Sequence, residues 1–235
     1  MWFKGFSQIL KAYTPRFLSL LCSFLFSASL IAQINIQVGY GLSFMDLAEN
    51  TQILQKYNAS NAWLSSGFGA IKVLNGLQIG LRYTGRIGSC GFNWTYGQAN
   101  TKAEGLNPSD NLEYNRTIYY KLESYNFLLE TGSQWIQFGT SINLNYLSIK
   151  DKFTPNTNKT QITRQTAWGS QFYINVGLSN GSVCRIALQP YYFLPWEQFD
   201  LSPLEQTLNG STGIQSGNFK HFGIRLLLLN GPQRD

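Results

Sequence analysis

Ile136-Gln137-Phe138-Gly139-Thr140-Ser141-Ile142-Asn143-Leu144-Asn145-Tyr146 is the stretch on which the fold of this 235-residue chain turns. Five of its six even positions are apolar, Thr140 being the exception, and its odd positions are Gln, Gly, Ser, Asn and Asn. A period of two belongs to a strand with two unlike faces. The polar face carries uncharged amides, hydroxyls and glycine rather than the Lys and Glu that a soluble sheet shows to water. Such residues suit a crowded aqueous lumen, which turns the apolar face outward into lipid.

Working outward, the same alternation predicts eight strands, at 34–44, 62–73, 77–98, 117–130, 134–150, 164–178, 183–196 and 218–229. Three connections read as tight turns, at Leu74-Asn75-Gly76, Thr131-Gly132-Ser133 and Ser179-Asn180-Gly181-Ser182, because Asn-Gly and Gly-rich tetrads admit positive φ. The other four, 45–61, 99–116, 151–163 and 197–217, are longer and polar. Short turns alternating with long loops describe an up-and-down transmembrane β-barrel, all-β and antiparallel, with turns periplasmic and loops extracellular. An even strand number returns both termini to the periplasm.

Two segments change phase. In 77–98 the apolar set moves from Leu77, Ile79, Leu81 and Tyr83 to Phe92, Trp94 and Tyr96, and a second slip falls near Ser124. A β-bulge around Gly88–Gly91 accounts for the first; a hairpin there raises the count to ten. Pro190 removes a ladder donor from the seventh strand.

Residues 1–32 contain no Asp or Glu, and Lys4, Lys11 and Arg16 precede the apolar run Phe17–Ile31. This reads as a secretory signal peptide cleaved after Ala32, leaving 33–235 as the barrel domain. The run is shorter than the roughly 20 residues that span a bilayer as a helix. Without those three bases the net charge falls from +6 to +3, since 18 − 3 = 15 bases face 12 acids. Nothing in that balance points to nucleic acid. Cys90 and Cys184 fall on the third and seventh strands, which are not neighbours, and read as packing residues; no Cys/His spacing suggests a metal site, and no cofactor motif is present.

Tryptophans supply an independent pattern. Trp63, Trp94, Trp168 and Trp196 lie near predicted upper strand ends and Trp135 beside a lower turn, the two levels where bilayer interfaces collect aromatic rings.

On this architecture, on Leu188-Gln189-Pro190-Tyr191-Tyr192 and on the closing strand Phe219-Lys220-His221-Phe222-Gly223-Ile224-Arg225-Leu226, the chain resembles the small outer-membrane β-barrels of Gram-negative bacteria, similar in build to the membrane domain of the outer membrane protein A type. The resemblance covers 34–229. It implies a monomer in contact with outer-membrane lipid and lipopolysaccharide, assembled by the barrel-insertion machinery.

Candidate site residues follow from the inward phase. Gln78, Arg82, Arg86, Lys121, Glu123, Glu130, Arg185 and Arg225 are assigned to the lumen, where charges must pair because eight strands leave room only for side chains. Arg82 or Arg86 is expected near Glu123. The bland reading is a lumen-filling ion network; the functional one is a gated pore or small-ligand site. His221 is the only histidine. A lipid A-modifying enzyme would need it as a base, yet no serine stands two positions away. The expected function is therefore non-enzymatic, structural or through surface loops. A lipid A-modifying enzyme, an accessory subunit of a secretion system and a soluble secreted β-barrel binder are the alternatives.

Overall fold

The computed structural model describes residues 33–230 apart from 46, 86–87, 109–110, 134, 155–157, 181–183, 212 and 215. The expected signal peptide, 1–32, lies outside the described residues. Eight long strands form the barrel: β1 (Gln33–Met45), β3 (Val73–Thr84), β4 (Ser89–Leu106), β5 (Glu113–Gly132), β6 (Ile136–Phe153), β7 (Thr160–Asn180), β8 (Cys184–Pro195) and β11 (His221–Asn230). Each pairs antiparallel with its sequence neighbour, and β1 closes on β11 through Gln37↔Leu229 to Met45↔His221. Closure leaves no unpaired edge. Helix α1 (Ala48–Ser60), strand β2 (Leu64–Ser66), strands β9 (Phe199–Asp200) and β10 (Ser216–Gly217), and helix α2 (Ser202–Asn209) all belong to connections at one end.

The count of eight holds, but two strands differ from the sequence reading. The segment 77–98 is a hairpin, β3 to β4, turning at 85–88 where the Gly85 N–H donates to the Gly88 carbonyl at 2.9 Å. The segment 62–73 is not a barrel strand; only Leu64–Ser66 pairs, along the top of β4. One strand gained and one lost restore eight. Leu74-Asn75-Gly76, read as a turn, runs inside β3. A Cβ on Gly76 would stand 1.6 Å from the Tyr96 carbonyl oxygen, so glycine is there for the close approach of β4 and not for a turn. Opposite Pro190 the β7–β8 ladder lapses between Tyr173↔Tyr191 and Val176↔Leu188.

Burial on the lower half of the barrel is inverted relative to a soluble protein. On β6 Ile142 is 48% exposed while Asn143 is 2% exposed. Ile36, Leu81, Phe127, Phe138, Phe172 and Leu226 extend this outward apolar belt around the barrel. Higher up, the strand keeps its phase but the chemistry reverses: Leu147 and Ile149 point inward, and Ser148, Lys150 and Lys152 outward. On β5 the reversal comes between Tyr125 and Glu123, with Ile118, Tyr120 and Leu122 inside. The phase slip at Ser124 is therefore no bulge. It marks the level at which the strand leaves an apolar surrounding for an aqueous one. β4 to β7 rise above this level; β1, β3, β8 and β11 stop close to it.

Candidate functional site: the polar lumen and the head above it

Above the level of reversal the tall strands form one wall of a small head. Its core contains Ala103, Ile118, Tyr120, Leu147 and Ile149 from the wall, Ile53, Leu54 and Tyr57 from α1, and Leu201, Leu204 and Leu208 from the α2 region. On α1 the buried set Asn50, Ile53, Leu54 and Tyr57 repeats at i, i+3, i+4 and i+7, one helical face. Ser202 N–H bonds the Asp200 carboxylate at 2.8 Å at the start of α2, and Gly210 (φ 64°) ends it. Polar pins hold the parts together. Lys56 Nζ reaches Glu205 Oε1 at 2.9 Å across the two helices, and Glu205 also accepts from the Ser211 hydroxyl and the Ile214 N–H. The hydrogen bond from Lys56, reinforced by those of Ser211 and Ile214 against the cost of burial, holds the Glu205 carboxyl below its ordinary pKa. Arg116 grips Asp151 through Nε at 3.1 Å and Nη2 at 2.6 Å, with its guanidinium 5.4 Å from the Tyr57 ring centroid. Asn58 both donates to and accepts from the Phe68 backbone, at 2.9 and 2.8 Å, fixing the segment that returns to β3.

Below the head, one polar network crosses the lumen. Arg82 Nη2 meets Glu130 Oε2 at 2.5 Å and donates to Gln137 Oε1 at 2.8 Å and Ser89 Oγ at 3.1 Å. Glu130 Oε1 accepts from the Tyr173 hydroxyl at 3.0 Å and the Asn175 amide at 2.8 Å. Gln189 then donates to Asn175 at 2.9 Å and accepts from Arg225 at 3.2 Å, and Arg225 also reaches Gln171 at 3.1 Å. The Arg225 guanidinium lies 3.7 Å from the Tyr191 ring centroid, and the Tyr191 hydroxyl touches Ser43 at 2.5 Å. Seven strands besides β5 thus tie into one chain of contacts. Gly139 and Gly223 make it fit: a Cβ on either would fall within 2.4 Å of the Tyr173 or Tyr191 ring.

The structure sorts the lumen candidates. Arg82, Glu130 and Arg225 come together through this network, whereas Arg185 is buried inward with its Nε and Nη2 making no hydrogen bond. Gln78 is buried, its amide also unmatched. Lys121 and Glu123 are not in the lumen: they face outward and pair with each other at 3.0 Å. Their positions share the phase of Tyr125, so they were assigned a face by chemistry where register decides it. Glu130, not Glu123, is the partner of Arg82. Arg86 lies outside the described residues. Gln137 stands on the lumen face that the alternation of 136–146 gives it, but the sequence reading missed Tyr173, Asn175 and Gln189; all four are uncharged inward residues, and only register shows that they meet.

Of the tryptophans, Trp94 and Trp168 lie outward at the top of the belt with Tyr96, Tyr125 and Tyr146, Trp196 donates its indole N–H to Ser170 at 3.1 Å beside them, and Trp135 is exposed at the lower turn. Trp63 does not belong to this girdle. It packs edge-on against Tyr114 (5.0 Å, 89°) at the top of the head, far above the belt. His221 is buried, its Nδ1 at 2.9 Å from the Phe219 carbonyl oxygen and its ring against Phe193 at 4.9 Å. Among the described residues no group of His, Cys, Asp and Glu could hold a metal ion, and both cysteines are free thiols.

A closed, eight-stranded antiparallel barrel with an apolar outer belt and a polar lumen is the build of the small outer-membrane β-barrels. No family model and no curated protein matches the chain. Among solved structures it is similar to Ail, the attachment invasion locus protein of Yersinia pestis (9% identity, TM-score 0.43, 86% of this chain and 98% of that one). It is also similar to Ail in complex with the heparin analogue sucrose octasulfate (10%, 0.41, 86% and 98%). A third similar structure is Neisserial surface protein A (7%, 0.40, 85% and 97%). The likeness is one of fold.

Proposed function

We propose that this protein is a non-enzymatic barrel of the bacterial outer membrane that holds a folded head at the cell surface and acts through contacts of that head. The reading rests on one observation above others, the reversal of side-chain chemistry at one level on the adjacent strands β5 and β6. A strand that stays in one solvent has no reason to exchange its apolar and polar faces. With the head outside, the short turns and both Gln33 and Asn230 lie on the periplasmic side. The head's outer wall is basic: Lys102, Lys121, Lys150, Lys152, Lys159 and Arg164 stand against Glu104, Glu113 and Glu123. Partners of that wall are accordingly anionic. Lipid and lipopolysaccharide contact the belt, the chain works as a monomer, and the barrel-insertion machinery places it.

Catalysis at the lipid surface has little support from the only histidine. His221 points into the barrel, packed between aromatic rings, rather than toward the outer leaflet. Lipid A from wild-type, deletion and His221→Asn strains is expected to be identical by mass spectrometry; an acyl change that follows His221 replaces this reading with an enzyme. The membrane reading itself is tested by heat-modifiable gel mobility of the envelope protein together with labelling of a Lys150→Cys variant by a membrane-impermeant thiol reagent on intact cells. Labelling only after lysis would reverse the orientation. A mature N-terminus at or near Gln33, read by mass analysis, is expected for a cleaved leader.

A further inference from the structure

On the low side of the barrel, where β1, β8 and β11 end near the top of the belt, the outer surface is not flush. Phe44, Phe222 and Tyr192 face outward on three adjacent strands and lie in one register row, Phe44↔Phe222 and Phe222↔Tyr192. Phe44 and Phe222 stack at 5.0 Å with 20° between their planes. Over this aromatic floor hang the first turns of α1, with Ala48 and Thr51, and the segment at Ala70 and Ile71. Small side chains in that roof leave an open groove of ≈ 720 Å³ between floor and overhang. Lys72 and Lys220 stand exposed among its lining residues, and no acidic residue lines it among those described.

We propose that this groove is a lipid site: it takes one acyl chain of a phosphorylated lipid of the outer leaflet, whose phosphate is held by Lys72 and Lys220. The proposal rests on the membrane reading above. Three features select the occupant. The floor is continuous with the apolar belt, so bilayer hydrocarbon already bathes it, and a protein partner would have to displace lipid along one whole flank. The roof lines the groove with Ala48, Thr51 and Ala70 and packs the other face of α1 into the head's core, the shape of a slot for a flexible chain. Two lysines without an acid among the described lining residues, at the level where the belt ends, match a phosphate, which lysine binds as a point charge. Three lysines on the opposite wall do not meet these conditions. Lys102 and Lys121 are already paired with Glu104 and Glu123, and Lys159 lies over the Tyr119 ring at 3.8 Å.

The experiment is lipid retention by the folded full-length mature barrel, read by native mass spectrometry after exposure in detergent to bisphosphorylated lipid A, dephosphorylated lipid A or phosphatidylcholine. Wild type is expected to retain a single lipid A, preferred over the dephosphorylated form on the order of thirtyfold, the ratio two surface lysines confer on an anionic headgroup. Lys72→Ala/Lys220→Ala should erase that preference, and Ala48→Trp, which fills the slot, should remove retention of all three lipids. Gln98→Ala/Asn100→Ala, exposed on the opposite wall, should change nothing. The proposal is overturned if wild type retains no lipid, if the Lys72/Lys220 variant keeps the preference, or if the Gln98/Asn100 variant loses it. Heat-modifiable mobility checks that each variant is folded, and the exposed lysine pair carries the test should Ala48→Trp not fold. A barrel that inserts into vesicles but retains no lipid sinks the groove alone; one that fails to insert sinks the membrane reading.

Discussion

Glu130 is the residue on which the lumen's electrostatics depend. Its side chain is 1% exposed and it is the carboxylate that meets Arg82, itself 4% exposed. Breaking a buried pair by deleting one partner leaves an uncompensated charge and costs about 3–5 kcal/mol. Glu130→Ala should therefore lower the unfolding free energy of the refolded barrel in a denaturant titration by that amount. Glu123→Ala is the contrast, because its partner Lys121 is 42% exposed and loses little: the shift should stay within about 1 kcal/mol. Equal effects of the two would mean that Glu123 shares the lumen. At this scale the sequence showed which residue types line the interior but not who meets whom. Arg82 and Glu130 are 48 positions apart and become neighbours only through strand register, whereas an acid such as Glu123 looks equally suitable until its face is known.

At the scale of elements, legibility tracked how long one environment persists. β6 was read correctly over 136–146 because all of that stretch sits in the belt; Ile142→Arg, near the middle of that stretch, should cost about 2–4 kcal/mol, measured by the same titration in lipid vesicles. The tall strands were cut short, β5 read from 117 and seen from 113, β7 read from 164 and seen from 160, because polar side chains stand on both faces there, Asn115 and Arg116 on β5, Thr163 and Arg164 at β7, and the alternation fades. Both helices went unread inside segments taken as loops. Their faces were present in the sequence, Ile53, Leu54 and Tyr57 on α1 and Leu201, Leu204 and Leu208 around α2, but short amphipathic runs between strands offer few turns of periodicity. The clamp between the helices should respond to acid. Glu205 has a folded pKa below its ordinary value, so its contribution is fully present above the unfolded carboxylate range, near pH 4.3, and is lost as pH falls through the lower folded value. Proteolytic nicking of 196–220 should thus be slow at pH 7 and rise below pH 4, with an acid-stable protease used throughout. Glu205→Gln should nick faster at pH 7 and lose the pH dependence; an unchanged profile would show that the apolar core alone holds the head down.

For the whole molecule, two seals of different chemistry lie in series. The upper is the apolar head, a core of Ile53, Leu54, Leu204 and Ile149 that excludes water by burial. The lower is the polar network from Arg82 through Glu130, Asn175 and Gln189 to Arg225, which fills the bore that eight strands leave. Because the seals share no residue, opening one should not open the barrel. Planar-bilayer recordings of the wild-type protein should show no stable conductance. Replacing 48–60 and 202–209 with short Gly/Ser loops removes the upper seal, yet the recordings should remain silent, since Tyr173, Tyr191 and the arginines still occupy the bore. Shortening the network in that background, with Arg82→Ala/Glu130→Ala to keep the charge balanced and Tyr173→Ala to vacate the ring space over Gly139, should give small conductance steps where neither alteration alone does. Steps from the head deletion by itself would assign the closure to the head and reduce the network to a packing device. Porin-like steps from wild type would dismiss both seals and, with them, the reading of this barrel as an anchor for its head.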